Sequence, residues 1–257
     1  MTKNNSQGIN VVSKIPEITL LFWLIKIVAT TLGETAGDAA SMSLNLGYAV
    51  ATLIFSIFFV VLVAAQIKSK SFDPFLYWGV IVATTTVGTT IADFMDRSLG
   101  VGYIGGSLTI FALLLSVIGL WYMSTGSISV SNINSRAGEI FYWLTILFSN
   151  TLGTALGDFA ADSSGLGYEK GTMVFCSFLF LISCIYYFTN ISRTILFWLA
   201  FILTRPLGAT LGDMLTKPLD HGGLDLGRFS SSSVLSAFMV GLILLSLKKG
   251  KICNYLK

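Results

Sequence analysis

Three residue types recur in one register along the chain, and that register calls for four copies of a single unit. Trp23, Trp78, Trp143 and Trp198 are spaced by 55, 65 and 55 residues. Gly33, Gly88, Gly153 and Gly208 keep those spacings, and so do Asp38, Asp93, Asp158 and Asp213. A fold for such a chain must place four equivalent elements in four equivalent surroundings.

The first marker segment of each unit ends on its Asp: TTLGETAGD (30–38), TTVGTTIAD (85–93), NTLGTALGD (150–158) and RPLGATLGD (205–213). A second signature follows, GYAVAT, GYIGGS, GYEKGT and GRFSSS, starting at Gly47, Gly102, Gly167 and Gly227. It begins nine residues after the Asp in three units and fourteen after it in the fourth. The fourth connector therefore carries an insertion, with His221 in a glycine-rich, solvated loop. The ten extra residues between the second and third units fall in the polar stretch 124–135.

Composition decides the medium. The chain is 54% hydrophobic and 11% charged, with a mean hydropathy of +0.78. Soluble domains carry about a quarter charged residues, and apolar windows near ~20 residues recur throughout, the length of a membrane-crossing helix. Eight spans are expected at about 17–38, 47–66, 74–94, 102–123, 139–159, 170–188, 193–214 and 229–247. They pair into repeats at about 17–66, 74–123, 139–188 and 193–247, with 124–138 as the connector between two halves. The first span carries the repeat motif and no small-residue cleavage site, so it reads as a membrane helix and not a signal peptide.

Orientation follows from the basic residues. Lys3, Lys14, Lys68, Lys70, Arg136, Arg193, Lys248, Lys249, Lys251 and Lys257 flank the terminal side. Arg97, Lys170, Lys217 and Arg228 flank the other, which predicts cytoplasmic termini. The net charge of +3 reports this topology and not a nucleic-acid partner. Cys176, Cys184 and Cys253 form no disulfide framework and read as small core residues and a reduced thiol in the tail.

These markers resemble a bacterial membrane family built from four copies of a two-helix, tryptophan-bearing repeat of unknown function. The resemblance covers nearly the whole chain. It implies eight spans and a bacterial inner-membrane setting, and it brings no activity.

Function must then come from the residues. With two spans per unit, all four units enter the membrane in the same direction. They are parallel repeats about an axis along the membrane normal, and equivalent residues gather around it. The predicted fold is all-α, an eight-helix polytopic bundle. Steps of four residues stay on one helix face. That face carries Thr30, Glu34 and Asp38; Thr85, Thr89 and Asp93; Asn150, Thr154 and Asp158; and Arg205, Ala209 and Asp213. Lys26 and Arg205 lie within spans and are expected to balance two acids, Lys26 with Glu34 and Arg205 with Asp213 or Asp158. Three negative charges then remain for a bound cation or protons.

Oxygen donors without His, Cys or Met suit Mg²⁺, Mn²⁺, Ca²⁺ or H⁺. Each Asp lies toward a helix C-terminus, whose carbonyls and dipole also favour cations. GETAGD is similar to the acidic E-x-G-D motif of Golgi-type manganese/calcium–proton exchangers, with spacing different by one residue. The expected activity is carriage of a hard divalent cation, Mn²⁺ first, coupled to protons. The metal set is Glu34, Asp38, Asp93, Asp158, Asp213, Thr30, Thr85, Thr89, Asn150 and Thr154, with Arg205 and Lys26 balancing charge. No cofactor is implied; the expected partners are the lipid bilayer, the cation and protons.

Two other classes fit the same residues. One is a proton-coupled carrier of an organic molecule; the other is a scaffold or assembly factor that transports nothing. An enzyme is not expected, since no catalytic signature is present. The glycine pairs (Gly33/Gly37, Gly153/Gly157, Gly208/Gly212, and Gly88/Ala92) read either as close-packing sites or as helix breaks that expose carbonyls. Thr52, Ser107, Thr172 and Ser232 read either as packing residues or as a second oxygen layer facing the centre. The tryptophans read as packing or an aromatic belt.

Overall fold

A computed structural model describes residues 14–130, 133 and 135–255, with side chains through Lys248. Lys3, Lys249, Lys251, Lys257 and Cys253, which figure in the sequence reading, lie outside the described side chains. Among the described residues eight helices are long and apolar enough to cross a membrane, and the protein is a multi-pass membrane protein. They are α1 (Leu20–Asp38), α2 (Gly47–Lys68), α3 (Pro74–Asp93), α4 (Gly102–Thr125), α5 (Arg136–Asp158), α6 (Gly167–Phe188), α7 (Arg193–Thr216) and α8 (Arg228–Tyr255).

Local chemistry sets the helix starts. Thr19, Asp73 and Ser135 accept backbone N–H bonds from Phe22, Leu76 and Gly138, capping α1, α3 and α5. Pro74 opens α3, where its missing N–H costs nothing. The ends are less ordinary. Directly after Asp38, Asp93 and Asp158 the backbone widens into a π-helical turn: Ala39–Ser43, Phe94–Ser98 and Phe159–Ser163. Leu44, Leu99 and Ser164 each donate across it to the fifth residue back at 2.9 Å. Spans one, three and five thus run about one turn beyond the expected ends. Each even helix then starts on a glycine at positive φ, or directly after one in α8, with φ 72–75° at Gly47, Gly102, Gly167 and Gly227. A side chain is disfavoured in that conformation, which explains the recurring Gly of the second signature.

The fourth unit differs. Among the described residues no π turn follows Asp213, and α7 runs on to Thr216. The insertion folds back onto it: Leu224 donates to the Met214 carbonyl at 2.7 Å and Leu226 to the Leu215 carbonyl at 3.0 Å. His221 is exposed, as its loop position implied.

The odd helices form a closed ring in the order α1, α3, α5, α7, with α7 packed back on α1. The even helices sit outside it, each chiefly on the odd helix of the next unit: α2 on α3, α4 on α5, α6 on α7, and α8 on α1. Odd helices bury most of their residues, and even helices leave most exposed. Cys176 is one of these outward residues, a correction to its expected core position; the lipid-facing surface of α6 accepts it as a small apolar side chain.

Glycine makes the ring tight. A Cβ on Gly33 would overlap Thr85, and one on Gly208 would overlap Thr30. One on Gly88 would meet Thr151 N and Asn150 C at 3.0 and 3.2 Å, and one on Gly153 would meet Arg205 and Pro206. Each odd helix therefore presses a glycine against its successor. The helices run unbroken through these positions, so close packing, not a helix break, is what the glycines serve.

Candidate functional site

Five layers of four residues stack along the ring axis, one helical turn apart. Phe22, Tyr77, Tyr142 and Phe197 form the first, and Lys26, Ile81, Ile146 and Phe201 the second. Thr30, Thr85, Asn150 and Arg205 follow, then Glu34, Thr89, Thr154 and Ala209, then the four Asp. All twenty side chains are buried. The sequence stripe therefore converges, and each Asp is only 2% exposed. Asp38 lies five residues before the end of its Leu20–Ser43 span, about 8 Å along the helix axis.

The aspartate layer is held by cations from its own end. Lys217 Nζ lies 3.1 Å from Asp213 and 3.2 Å from Asp38. Arg97 Nε lies 3.2 Å from Asp93, and its Nη2 lies 3.4 Å from Asp158. Arg228 Nε is 3.5 Å from Asp38. This corrects the expectation that three negative charges stay uncompensated. Arg97 and Lys217 were counted as loop residues, yet each follows an Asp by four residues. One helical turn carries the side chain back over that Asp and onto the next one. Burial works against the Lys217 ammonium, but Asp213 and Asp38 outweigh it and leave its pKa above the usual lysine value.

One layer deeper, Arg205 Nη2 donates to Glu34 Oε2 at 2.7 Å and also to Thr89 Oγ1. The Thr89 hydroxyl lies 3.2 Å from the same Glu34 oxygen. Arg205 thus pairs with Glu34, not with Asp213 or Asp158, because Glu34 sits in the adjacent layer on the adjacent helix. Lys26 correspondingly does not pair with Glu34. Its Nζ donates to Asn150 Oδ1 at 3.3 Å and lies 4.1 Å from the centroid of the Phe201 ring. Asn150 in turn donates to Thr84 Oγ1 at 2.9 Å.

Carboxylate oxygens of Glu34, Asp38 and Asp213 come within 4.8 Å of one another. That is the spacing of ligands around one hard cation. Asp93 and Asp158 belong to the other side of the ring, around Arg97. Thr30 and Thr85 turn their hydroxyls to backbone carbonyls, Thr30 to Thr204 at 3.1 Å and Thr85 to Ala29 at 3.2 Å. Thr154 donates to the Asn150 carbonyl at 3.3 Å. Thr30 and Thr85 thus join neighbouring helices, Thr154 bonds back within α5, and all three leave only oxygen lone pairs for a ligand. Two of the four even-helix hydroxyls, those of Ser232 and Thr172, are spent on the flanks of ring helices and not on a second layer at the centre. Ser232 meets Thr35 at 2.8 Å and Thr172 meets Thr210 at 3.0 Å, both joining an outer helix to the ring.

At the opposite end the ring is closed by aromatics. Trp78, Trp143 and Trp198 are buried, and the Tyr77 and Tyr142 hydroxyls share a hydrogen bond of 2.7 Å. Trp121 of α4, outside the repeat register, packs edge-on against Trp198 at 5.9 Å. Trp198 Nε1 donates to the Ile128 carbonyl at 3.0 Å, tying in the connector between halves. The tryptophans serve packing.

Sequence reasoning missed Arg97, Lys217 and Arg228 as site residues, although the four-residue step from Asp93 and Asp213 was readable. It also missed Asp96, whose buried carboxylate fills the space left by the absent side chain of Gly106 and has no hydrogen-bond partner among the described residues.

A family model described as Repeat of Unknown Function (DUF347) matches four times in tandem, at residues 21–72, 76–127, 141–192 and 196–251. No curated protein and no solved structure matches the chain.

Proposed function

From the premise that the chain belongs to the DUF347 repeat family, whose description names no activity, we propose that it carries a hard divalent cation, Mn²⁺ first, across a bilayer in exchange for protons. The observation that carries this reading is the approach of Glu34, Asp38 and Asp213 oxygens to within 4.8 Å on the ring axis. Oxygen-only donors favour Mn²⁺, Mg²⁺ or Ca²⁺ over softer metals.

The tethered cations define the mechanism. Lys217 and Arg205 already occupy the three carboxylates, so an entering metal must displace them. Protons can compete at the same oxygens, which supplies exchange. Arg97 joins Asp93 of the first half to Asp158 of the second, and Lys217 joins Asp213 of the second half to Asp38 of the first. Both bridges therefore cross the boundary between halves at the aspartate end. Rocking of the halves would open that end by parting both bridges, with the Tyr77–Tyr142 contact as the opposite gate. The asymmetry of basic residues supports cytoplasmic termini and, with the resemblance, a bacterial inner membrane.

The test is Mn²⁺ uptake by proteoliposomes under an imposed pH gradient. Wild type should carry Mn²⁺ and move protons the other way, and Asp213→Asn should lose both while still inserting. Equal uptake by that variant and wild type would remove the assignment. A second reading, a scaffold that transports nothing, draws on the ion pairs that engage each acid of the inner site. In that case neutralising variants lower stability, and wild type shows no flux for any cation.

A further inference from the structure

Asp96 is buried, 8% exposed, and both its carboxyl oxygens are sealed from solvent without a hydrogen-bond partner among the described residues. It lies in the π turn Phe94–Ser98, three residues after Asp93, and its Oδ1 enters the space that a Cβ on Gly106 of α4 would take. Arg97 of the same turn is within electrostatic reach, but its guanidinium is spent on Asp93, Asp158 and the Tyr48 hydroxyl of α2. Tyr103, at the start of α4, is turned to Asp162. Burying a bare carboxylate without a partner is so costly that the group neutralises instead.

The repeat shows what this position accepts. The counterparts of Asp96 are Ser41, Ala161 and Thr216. Ser41 donates to the Gly37 carbonyl at 2.8 Å and Thr216 to the Gly212 carbonyl at 2.9 Å, each four residues back. Ala161 is buried and apolar. The other units thus place a donor here, or no polar group. An ionised carboxylate only accepts, whereas a carboxylic acid also donates. The carbonyl four residues before Asp96 is that of Ala92.

We infer that Asp96 is a proton-binding site, a neutral carboxylic acid held outside the ring between the π turn and α4, donating as its counterparts do. Loss of that proton to bulk water would set a third carboxylate in competition for Arg97, the side chain that joins Asp93 of one half to Asp158 of the other. The site stands apart from the Glu34, Asp38 and Asp213 cluster and does not depend on cation carriage.

Infrared difference spectra of purified protein in detergent near neutral pH, wild type minus Asp96→Asn, test the inference. The expected difference is the carbonyl stretch of a protonated carboxyl, shifting on exchange into heavy water. Carboxylate bands in its place overturn the proposal. Melting temperatures give an independent readout. The folded chain would keep a proton that the unfolded chain releases above about pH 3.9. The stability of wild type relative to Asp96→Asn should therefore fall steadily from about pH 5 to 7. A gap that stays constant over that range also overturns it. If Asp96→Asn does not fold, Asp96→Ser, which copies the residue of the first unit, takes its place in both measurements. Neither readout involves manganese.

Discussion

Lys217 sits one helical turn beyond Asp213 on α7 and places its ammonium 3.2 Å from Asp38 on α1, so a single side chain joins the last unit to the first. If it is the cation that a metal must displace, Lys217→Gln should bind Mn²⁺ more tightly. The expected gain is roughly tenfold, the equivalent of about 1.4 kcal/mol. A manganese titration of purified protein against wild type reads it, and unchanged or weaker binding would count against displacement.

The same lysine gives a pH prediction. Its pKa is raised in the folded state, so its contribution to stability is complete below the unfolded lysine value of about 10.4. It is lost only as pH rises through the higher folded value. The Tm difference between wild type and Lys217→Met should therefore stay constant from about pH 7 to 9.5. A difference that shrinks within that window would contradict the bridge.

Glu34 and Arg205 form a buried pair at 2.7 Å. Glu34→Gln leaves the guanidinium without its countercharge and should cost about 3–5 kcal/mol. Joint replacement, Glu34→Leu with Arg205→Met, should recover much of that loss. Unfolding of the single and double variants in detergent forms the cycle, and strictly additive losses would show that the two do not act as a pair.

Glycine substitutions separate the ring from its surround. Gly208→Ala drives a methyl into Thr30 and should destabilise by about 1–3 kcal/mol or more. Gly119→Ala, on exposed α4 with nothing within 4 Å, should be neutral or stabilise by up to about 1 kcal/mol. The first variant should lower the melting temperature, and the second should leave it unchanged or raise it.

Tyr77→Phe or Tyr142→Phe alone strands a buried hydroxyl and should cost about 1–3 kcal/mol, whereas the double change should cost less than the two singles together. Thermal unfolding of the three variants measures the coupling.

The eight spans, their pairing and the convergence of the stripe were legible in the sequence, because the repeat register and a period of four encode them directly. Glu34, Asp38 and Asp213 were legible only as members of one set of five acids; that Asp93 and Asp158 gather apart from them, around Arg97, was not. The partners of Lys26 and Arg205 were not. Pairing within the ring depends on which neighbouring helix presents a carboxylate at the same height, and a single stripe is silent on that. Arg97 and Lys217 were hidden by a rule about loops: basic residues at a span's end usually point to water, but here a nearby acid turns them inward. The π turns left no signal, since Ala-Ala-Ser, Phe-Met-Asp and Phe-Ala-Ala share no pattern that separates a wide turn from a narrow one.

The displaced packing of the outer helices has a consequence for biogenesis. As the chain emerges, α2, α4 and α6 each find a partner when the next unit inserts, but the flank of α1 waits until α8 has been made. The α8-facing flank of α1 is thus among the last surfaces to be covered. A protein truncated before Arg228 would leave that flank of α1 bare to lipid and to membrane proteases.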